Sequence, residues 1–381
     1  MLSSNFVEIF GKLEDPRVTN HNSKHKFIDI LVMAFVATLC GCDDWEEIVD
    51  FCEEKQAMFS LFLELPNGIP SHDTFGRVFS MIDAEHFEGI FSEWMQQIFD
   101  KSNGEIIAID GKTIRASRAK GMRKGIHIVH AWACHNKLSL GSVRVDDKSN
   151  EITAVPKLLK LLDIADCIVT LDAMHCQKAT AETIINKGGN YVLCVKNNQK
   201  ELRSSIATAF KILEQRPYKE YKDSGTTAEK AHGRIETRQY LTLSLTYLPY
   251  LKEEWPGIQS VAKVVRTRII DGIESFEERY YISSLEYRSK MIEKSVRNHW
   301  GIENRLHWQL DVSFNEDKSR ARVKNSAECL NLMRKISMAY LKKDPDKAGI
   351  KRKRKRASYA HDYLFKILTD GFVADTTTCA K

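Results

Sequence analysis

The chain lacks any pair of cysteines at C-x-x-C spacing. Its nine cysteines are an odd number and scattered, and the nearest pair, Cys40 and Cys42, stands one residue apart. That pattern argues against a disulfide framework or a zinc finger and points to a reducing cytoplasm. Long hydrophobic runs are missing too. The longest early one, Ile30 to Ala37, is too short to cross a bilayer, and Lys24, His25 and Lys26 precede it without a cleavage-site pattern. It reads as a buried helix, and no membrane role is expected. There is no internal repeat.

What is present is the balance of a globular protein. The 381 residues are 43% hydrophobic and 28% charged, enough for two or three domains with proper cores. The net charge of +6 is modest, but its distribution is uneven. Lys351-Arg352-Lys353-Arg354-Lys355-Arg356 is an unbroken cationic run. It reads either as a solvated linker or as a set of phosphate contacts, which give affinity without sequence specificity and weaken as salt rises.

Three acids organise the chemistry. Asp110 ends the apolar run Glu105–Asp110, and Asp172 ends Cys167–Asp172; Glu303 lies in a helical stretch much later. An acid at the end of an apolar strand sits where a buried sheet meets solvent. Two such strands side by side bring two carboxylates together, and like charges that close need a counter-charge such as a divalent metal. Magnesium takes oxygen ligands and suits phosphate chemistry.

Residues 1–100 read as a helical domain. Phe27, Ile28, Leu31, Val32 and Phe35 recur at helical spacing until Gly41, Asp43-Asp44 caps a second helix, and Ser71-His72-Asp73 opens another. Such a domain either enters a DNA groove or caps the structure. From about 104 the pattern becomes β-β-β-α-β-α-β, with Pro156 tolerable only in the first turn of its helix. That order is the one of a ribonuclease-H-like α/β core with a mixed sheet. Residues from about 200 to 288 read as mostly strands, a β-rich insertion. The core is expected to span 101–345, followed by a basic linker and a C-terminal helix over 346–381.

His299, Glu303, His307 and Asp311 are spaced by four, one polar row on a helix, flanked by Trp300 and Trp308. A His-x-x-x-Glu-x-x-x-His row opens the alternative of a zinc hydrolase, although its spacing differs from H-E-x-x-H. Oxygen ligation of magnesium or manganese by Glu303 with the two aspartates is the better chemical fit.

The combination of Ile-Asp110-Gly-Lys-Thr, Leu-Asp172-Ala-Met-His-Cys-Gln, His232-Gly-Arg-Ile-Glu-Thr-Arg and Asn298-His-Trp-Gly-Ile-Glu303-Asn-Arg-Leu-His-Trp-Gln-Leu-Asp311 resembles the DDE transposases of bacterial insertion sequences. The likeness is greatest to the H-repeat-associated proteins found beside Rhs elements. It covers nearly the whole chain, including the segment Asp147 to Pro156. The resemblance implies Asp110, Asp172 and Glu303 as catalytic, metal-binding triad, with Mg2+ or Mn2+, two ions about 3.5–4 Å apart, at the scissile phosphate. It implies cleavage at transposon ends and strand transfer into target DNA. The expected partner is double-stranded DNA, both terminal inverted repeats and target, bound by a homodimer in the cytoplasm at the nucleoid. Related transposases often carry Tyr-x-x-Arg-x-x-x-Glu-x6-Lys; here those places hold Val296, His299 and Leu310. Candidate DNA contacts are therefore His299 itself with Arg297, Arg305 and His307, then Lys112 and Arg115 after the first strand. His232, Arg234 and Arg238 in the insertion and the run Lys351, Arg352, Lys353, Arg354, Lys355 and Arg356 complete the set. A stand-alone nuclease on the same fold and a DNA-binding remnant without catalysis remain as alternatives.

Overall fold

The computed structural model of the chain describes residues 7, 10–17, 23–118, 125–145, 151–215, 222–231 and 234–370. Helix α1 (Phe27–Cys40) is buried from Asp29 to its end, as an all-round apolar helix must be. Gly41 stops it at φ 117°, and the Cys42 N–H returns to the Ala37 carbonyl at 3.0 Å, a Schellman closure. Side-chain caps start the next helices: Asp44 for α2 (Trp45–Glu54), Ser71 for α3 (His72–Met81) and Asp83 for α4 (Ala84–Ile98).

The sheet follows. Strands β1 (Ile106–Thr113), β2 (His127–Ala133) and β3 (Leu138–Arg144) pair antiparallel. Helix α5 (Glu151–Leu161) leads to β4 (Ile168–Leu171), and α6 (Lys178–Asn186) to β5 (Asn190–Val195); both strands run parallel to β1. Pro156 lies in the second turn of α5, not the first, so it cannot donate to the Ile152 carbonyl.

The segment 200–288, expected to be mostly strands, contains helix as well. It opens with a four-turn helix, α7 (Lys200–Gln215), which buries Leu202, Ile206, Phe210 and Leu213. Strands β6 (Lys222–Ala231), β7 (Arg234–Ser244), β8 (Ser260–Ile270) and β9 (Ile273–Ser283) then join the same sheet, because β9 pairs antiparallel with β5. Among the described residues this makes one nine-stranded mixed sheet, ordered β3-β2-β1-β4-β5-β9-β8-β7-β6.

Side chains alternate across it. Ile107, Ile109, Val169, Leu171 and Leu193 face a core shared with α5, α6 and α7. Ile106, Ala108, Ile168 and Val192 face a second core. Helices α1–α4 enter that second core together with α8 (Met291–His299), α9 (Trp308–Ser313), α10 (Ser326–Lys343), α11 (Ile350–Tyr359) and α12 (His361–Asp370). Helices therefore cover both faces of β1, β4 and β5, as continuous apolar strands require. No described helix is long and apolar enough to cross a membrane.

The cationic run is not a linker. It forms α11, and two of its six side chains point inward. Lys353 bonds the Leu341 and Asp344 carbonyls at 3.0 and 2.7 Å. Arg354 bonds the Thr38 carbonyl and Asp43.

Candidate active site

Parallel pairing of β1 with β4 ends at Ile109 opposite Leu171. The next residues along are Asp110 and Asp172, so the register places the two carboxylates on adjacent strands. Both follow the alternation onto the face covered by α8 to α12. Asp110 does not end its strand, contrary to the sequence reading. β1 continues to Thr113, paired only with β2, where Asp110 lies opposite His130.

Glu303 comes from above. The helical stretch after α8 contains a π turn, Glu303–His307, in which the Trp308 N–H bonds the Glu303 carbonyl. The extra residue per turn is a feature frequently found at functional sites. The polar row spaced by four lies along the sheet. His299 Nδ1 is 3.0 Å from Thr170 Oγ1 on β4. His307 Nδ1 is 3.7 Å from Asp110 on β1. Asp311 is 2.8 Å from the Lys112 amine, further along β1.

The electrostatics mark the three acids as one group. Burial pushes Asp110 up to about 7, and the charges of Glu303, Asp172 and Glu151 push the same way. Glu303 is raised by burial and then by Asp172. Burial also acts on Asp172, but Lys196, 3.4 Å away, outweighs it together with the Ala173 N–H, and the net shift is downward. Burial drives His299 to about 4 and His307 to about 3, so both rings are neutral at pH 7.

The donor set fits a hard divalent cation. It is all carboxylate oxygen, and three neighbouring negative charges act on Asp110, which has the Gly111 N–H and a neutral imidazole beside it. Among the described residues no three acidic, His or Cys side chains form a preformed coordination cluster. The zinc reading loses its geometry: His299 and His307 address different strands rather than one point.

The remaining candidate DNA contacts divide sharply. Lys112 is 7% exposed and held by Asp311 and Glu316 at 2.8 Å and Asp317 at 3.6 Å, so it is not available to a phosphate. The same holds for buried Lys353, Arg354 and His307 and for Arg238, which is tied to Glu236, whereas His299 is half-buried with its Nδ1 on Thr170. Arg297 grips both oxygens of Glu229 at 2.5 and 2.6 Å. Arg115, Arg305, Lys351, Arg352, Lys355 and Arg356 are exposed, Arg115 beside Asp317 and Arg356 paired with Asp346 at 2.8 Å. His232 and the side chain of Arg234 lie outside the described residues.

Sequence reasoning missed three features. Lys196 follows the apolar strand β5 as Asp172 follows β4, so the same strand-end signal was there to find. Trp300 has Arg266 and Arg279 over its ring, at 5.9 and 5.2 Å, which docks the far strands onto the Glu303 segment. Glu151 meets His127 at 2.6 Å and His175 at 3.0 Å; burial opposes its charge, but the two histidines hold its carboxyl down at about 2.

Comparison with known proteins bears on the family of the chain. The family described as "Transposase DDE domain" matches residues 101–341, and "DDE_Tnp_1-associated" matches residues 7–95. YncI of Escherichia coli O157:H7 is 43% identical over 351 residues, covering 91% of this chain and 90% of that one. The H repeat-associated protein YhhI of Escherichia coli K12 is 38% identical over 352 residues, covering 91% and 93%. Both carry the word transposase in their names. A piggyBac transposase synaptic complex with hairpin DNA aligns over 98% of this chain and 78% of that one at TM-score 0.44 and 11% identity, too distant to bear on fold or activity. A family that spans the strands of both aspartates and the turn of Glu303, with relatives alike from end to end, places this chain among the DDE transposases of the H-repeat-associated family.

Proposed function

We propose that the chain cuts DNA at the ends of its element and joins the freed 3′ ends to target DNA, with Asp110, Asp172 and Glu303 as its catalytic residues. The observation that carries this is the β1–β4 register, which leads to Asp110 and Asp172 as neighbouring residues, with Glu303 near enough for its charge to act on Asp110. The strand order β3-β2-β1-β4-β5 supports reading the core as ribonuclease-H-like. Two magnesium or manganese ions held by the three carboxylates would supply charge stabilisation for in-line displacement at phosphorus.

The chain's own residues prepare that site. Asp110 and Glu303 repel each other, and a divalent cation held by these carboxylates would offset that repulsion. Thr170 anchors His299 and so the end of α8 before Glu303. Lys196 orients Asp172 and leaves a cation at the rim for a phosphate oxygen. Exposed Arg115, Arg305, Lys351, Arg352 and Lys355 contact DNA phosphates, and a homodimer assembles on double-stranded DNA at the bacterial nucleoid.

The test is cleavage and joining of a plasmid carrying the element's ends, with magnesium, by wild type, Asp110→Ala and Asp172→Ala. Loss of both steps with DNA binding retained is expected. Cleavage by either variant near the wild-type rate would overturn the site. Cleavage without joining by wild type would make the protein a nuclease instead.

A further inference from the structure

We propose that Glu151 is a positioning residue that fixes the spacing of Asp110 and Asp172 by bridging His127 and His175. The inference rests on the catalytic reading above. Its observations are geometric. Glu151 opens α5; His127 opens β2; His175 ends the single turn Ala173–His175 that follows Asp172. Three elements thus meet on one carboxylate, whose oxygens lie 2.6 Å from His127 Nε2 and 3.0 Å from His175 Nε2.

A carboxylate only accepts, so the His175 Nε2 that bonds it carries a proton, while His127 Nε2 meets the other oxygen as a close polar contact. His127 Nδ1 in turn shares a hydrogen bond with the Thr113 hydroxyl at 2.7 Å. The chain of contacts runs Thr113–His127–Glu151–His175, from the strand of Asp110 to the loop of Asp172. Gly111, next to Asp110, lies directly beneath it. A β-carbon there would come within 2.5 Å of His127 Nε2 and 2.8 Å of Glu151 Oε2. The brace therefore lies flat on the backbone beside the catalytic acid.

The Asp172 loop is clamped from the other side as well. Asn198 donates to the Ala173 carbonyl at 2.7 Å, and Gln199 to the Cys176 carbonyl at 3.0 Å. Those bonds tie the loop towards the end of β5, whereas Glu151 ties it towards β1 and β2. A loop held on both sides cannot drift along the sheet. Outer groups of this kind, which touch residues that hold a ligand rather than the ligand, alter metal affinity or activity by about 10–100-fold when removed.

The experiment uses the full chain with Glu151→Ala and Glu151→Gln, and Asp110→Ala as control. Four quantities are read: kcat and KM on DNA bearing the element's end, the melting temperature without metal, and the Mn2+ concentration giving half of the Mn2+-induced rise in melting temperature. Glu151→Ala is expected to lower kcat about 10–100-fold at unchanged KM and to raise the Mn2+ half-point by a similar factor. Glu151→Gln keeps one accepting oxygen for His175 but removes the charge and the second oxygen that meets His127, because its amide NH2 cannot accept from an imidazole N–H, and should fall between. A lower melting temperature with wild-type kcat and Mn2+ half-point would reduce Glu151 to a fold brace and overturn the proposal. If Glu151→Ala does not fold, Glu151→Gln decides, and wild-type behaviour of that variant overturns it. Asp110→Ala separates the two ideas: if it is dead while Glu151→Ala is fully active, only this inference fails; if Asp110→Ala cleaves, the catalytic reading fails first.

Discussion

Arg354→Gln is expected to destabilise the fold severely, although the residue sits in the most cationic stretch of the chain. Its side chain is 4% exposed. It donates to the Thr38 carbonyl at 3.1 and 2.8 Å, to the Cys42 carbonyl at 3.3 Å, to Asp43 at 2.8 Å and to the Ser313 carbonyl. Its guanidinium also lies 4.2 Å over the Phe314 ring. The Thr38 and Cys42 carbonyls are at the C-terminal end of α1, where a cation also opposes the helix dipole. Removing one partner of a buried ion pair costs about 3–5 kcal/mol. Each orphaned carbonyl adds about 1–3 kcal/mol in isolation, but these terms share one cavity and do not sum. An overall loss of about 3–5 kcal/mol is a large part of a stability of about 5–15 kcal/mol. By contrast Lys351→Gln, Arg352→Gln and Lys355→Gln are exposed changes worth about 0.5 kcal/mol or less each. Urea denaturation reads the first quantity. The slope of log affinity against log salt on duplex DNA reads the second, and the exposed triple variant should flatten it by up to about 0.9 per lost phosphate contact. An Arg354→Gln variant within about 1 kcal/mol of wild type would refute the argument, since no buried charge pair could then be at stake.

Three further outcomes follow from the site. Asp110 stands near 7, so folding favours its protonated form; the penalty is absent below about pH 4 and grows as pH rises through 7. Asp110→Asn should therefore raise the urea midpoint at about pH 8 without divalent cation and leave it unchanged near pH 4; equal midpoints at the higher pH would contradict the burial argument. Activity should require magnesium or manganese and survive a zinc-selective chelator, and rescue by zinc alone would revive the histidine-row alternative. Deleting Asn304 should convert the π turn to ordinary helix, which absorbs the deletion locally and shifts Glu303 while Asp311 keeps its Lys112 contact; cleavage near wild type would show the extra residue to be dispensable.

The two aspartates were legible because each directly follows a short apolar run, and parallel pairing of two such runs leaves little freedom in where the acids land. Glu303 was legible only through its motif. The π turn around it leaves no periodic trace, since one added residue still reads as helix. The cationic run misled because six like charges read as a solvated stretch, while a helical period puts Lys353 and Arg354 on one face and tertiary acceptors were waiting for them. Helix α7 was signalled by Leu202, Ile206, Phe210 and Leu213, and the β-branched segments beyond drew attention from it. Strand β6, from Lys222 to Ala231, is poor in strand formers and exists because β7 pairs along its whole length. Glu151 found its histidines through contacts that no local pattern encodes.

Because β9 is stitched to β5 from Val192–Ser283 to Val195–Tyr280, the four far strands are keel rather than cargo. Excising 222–283 would leave β5 with an open edge beneath two buried faces, an invitation to pair with another molecule. The strands there are 10 or 11 residues long, roughly 35 Å, and end in the turn between Ile270 and Ile273. A graft or a loop exchange meant to retarget the protein belongs at that outer tip, where pairing has already run out, and not at the root, where every cut severs the plank on which Asp172 stands.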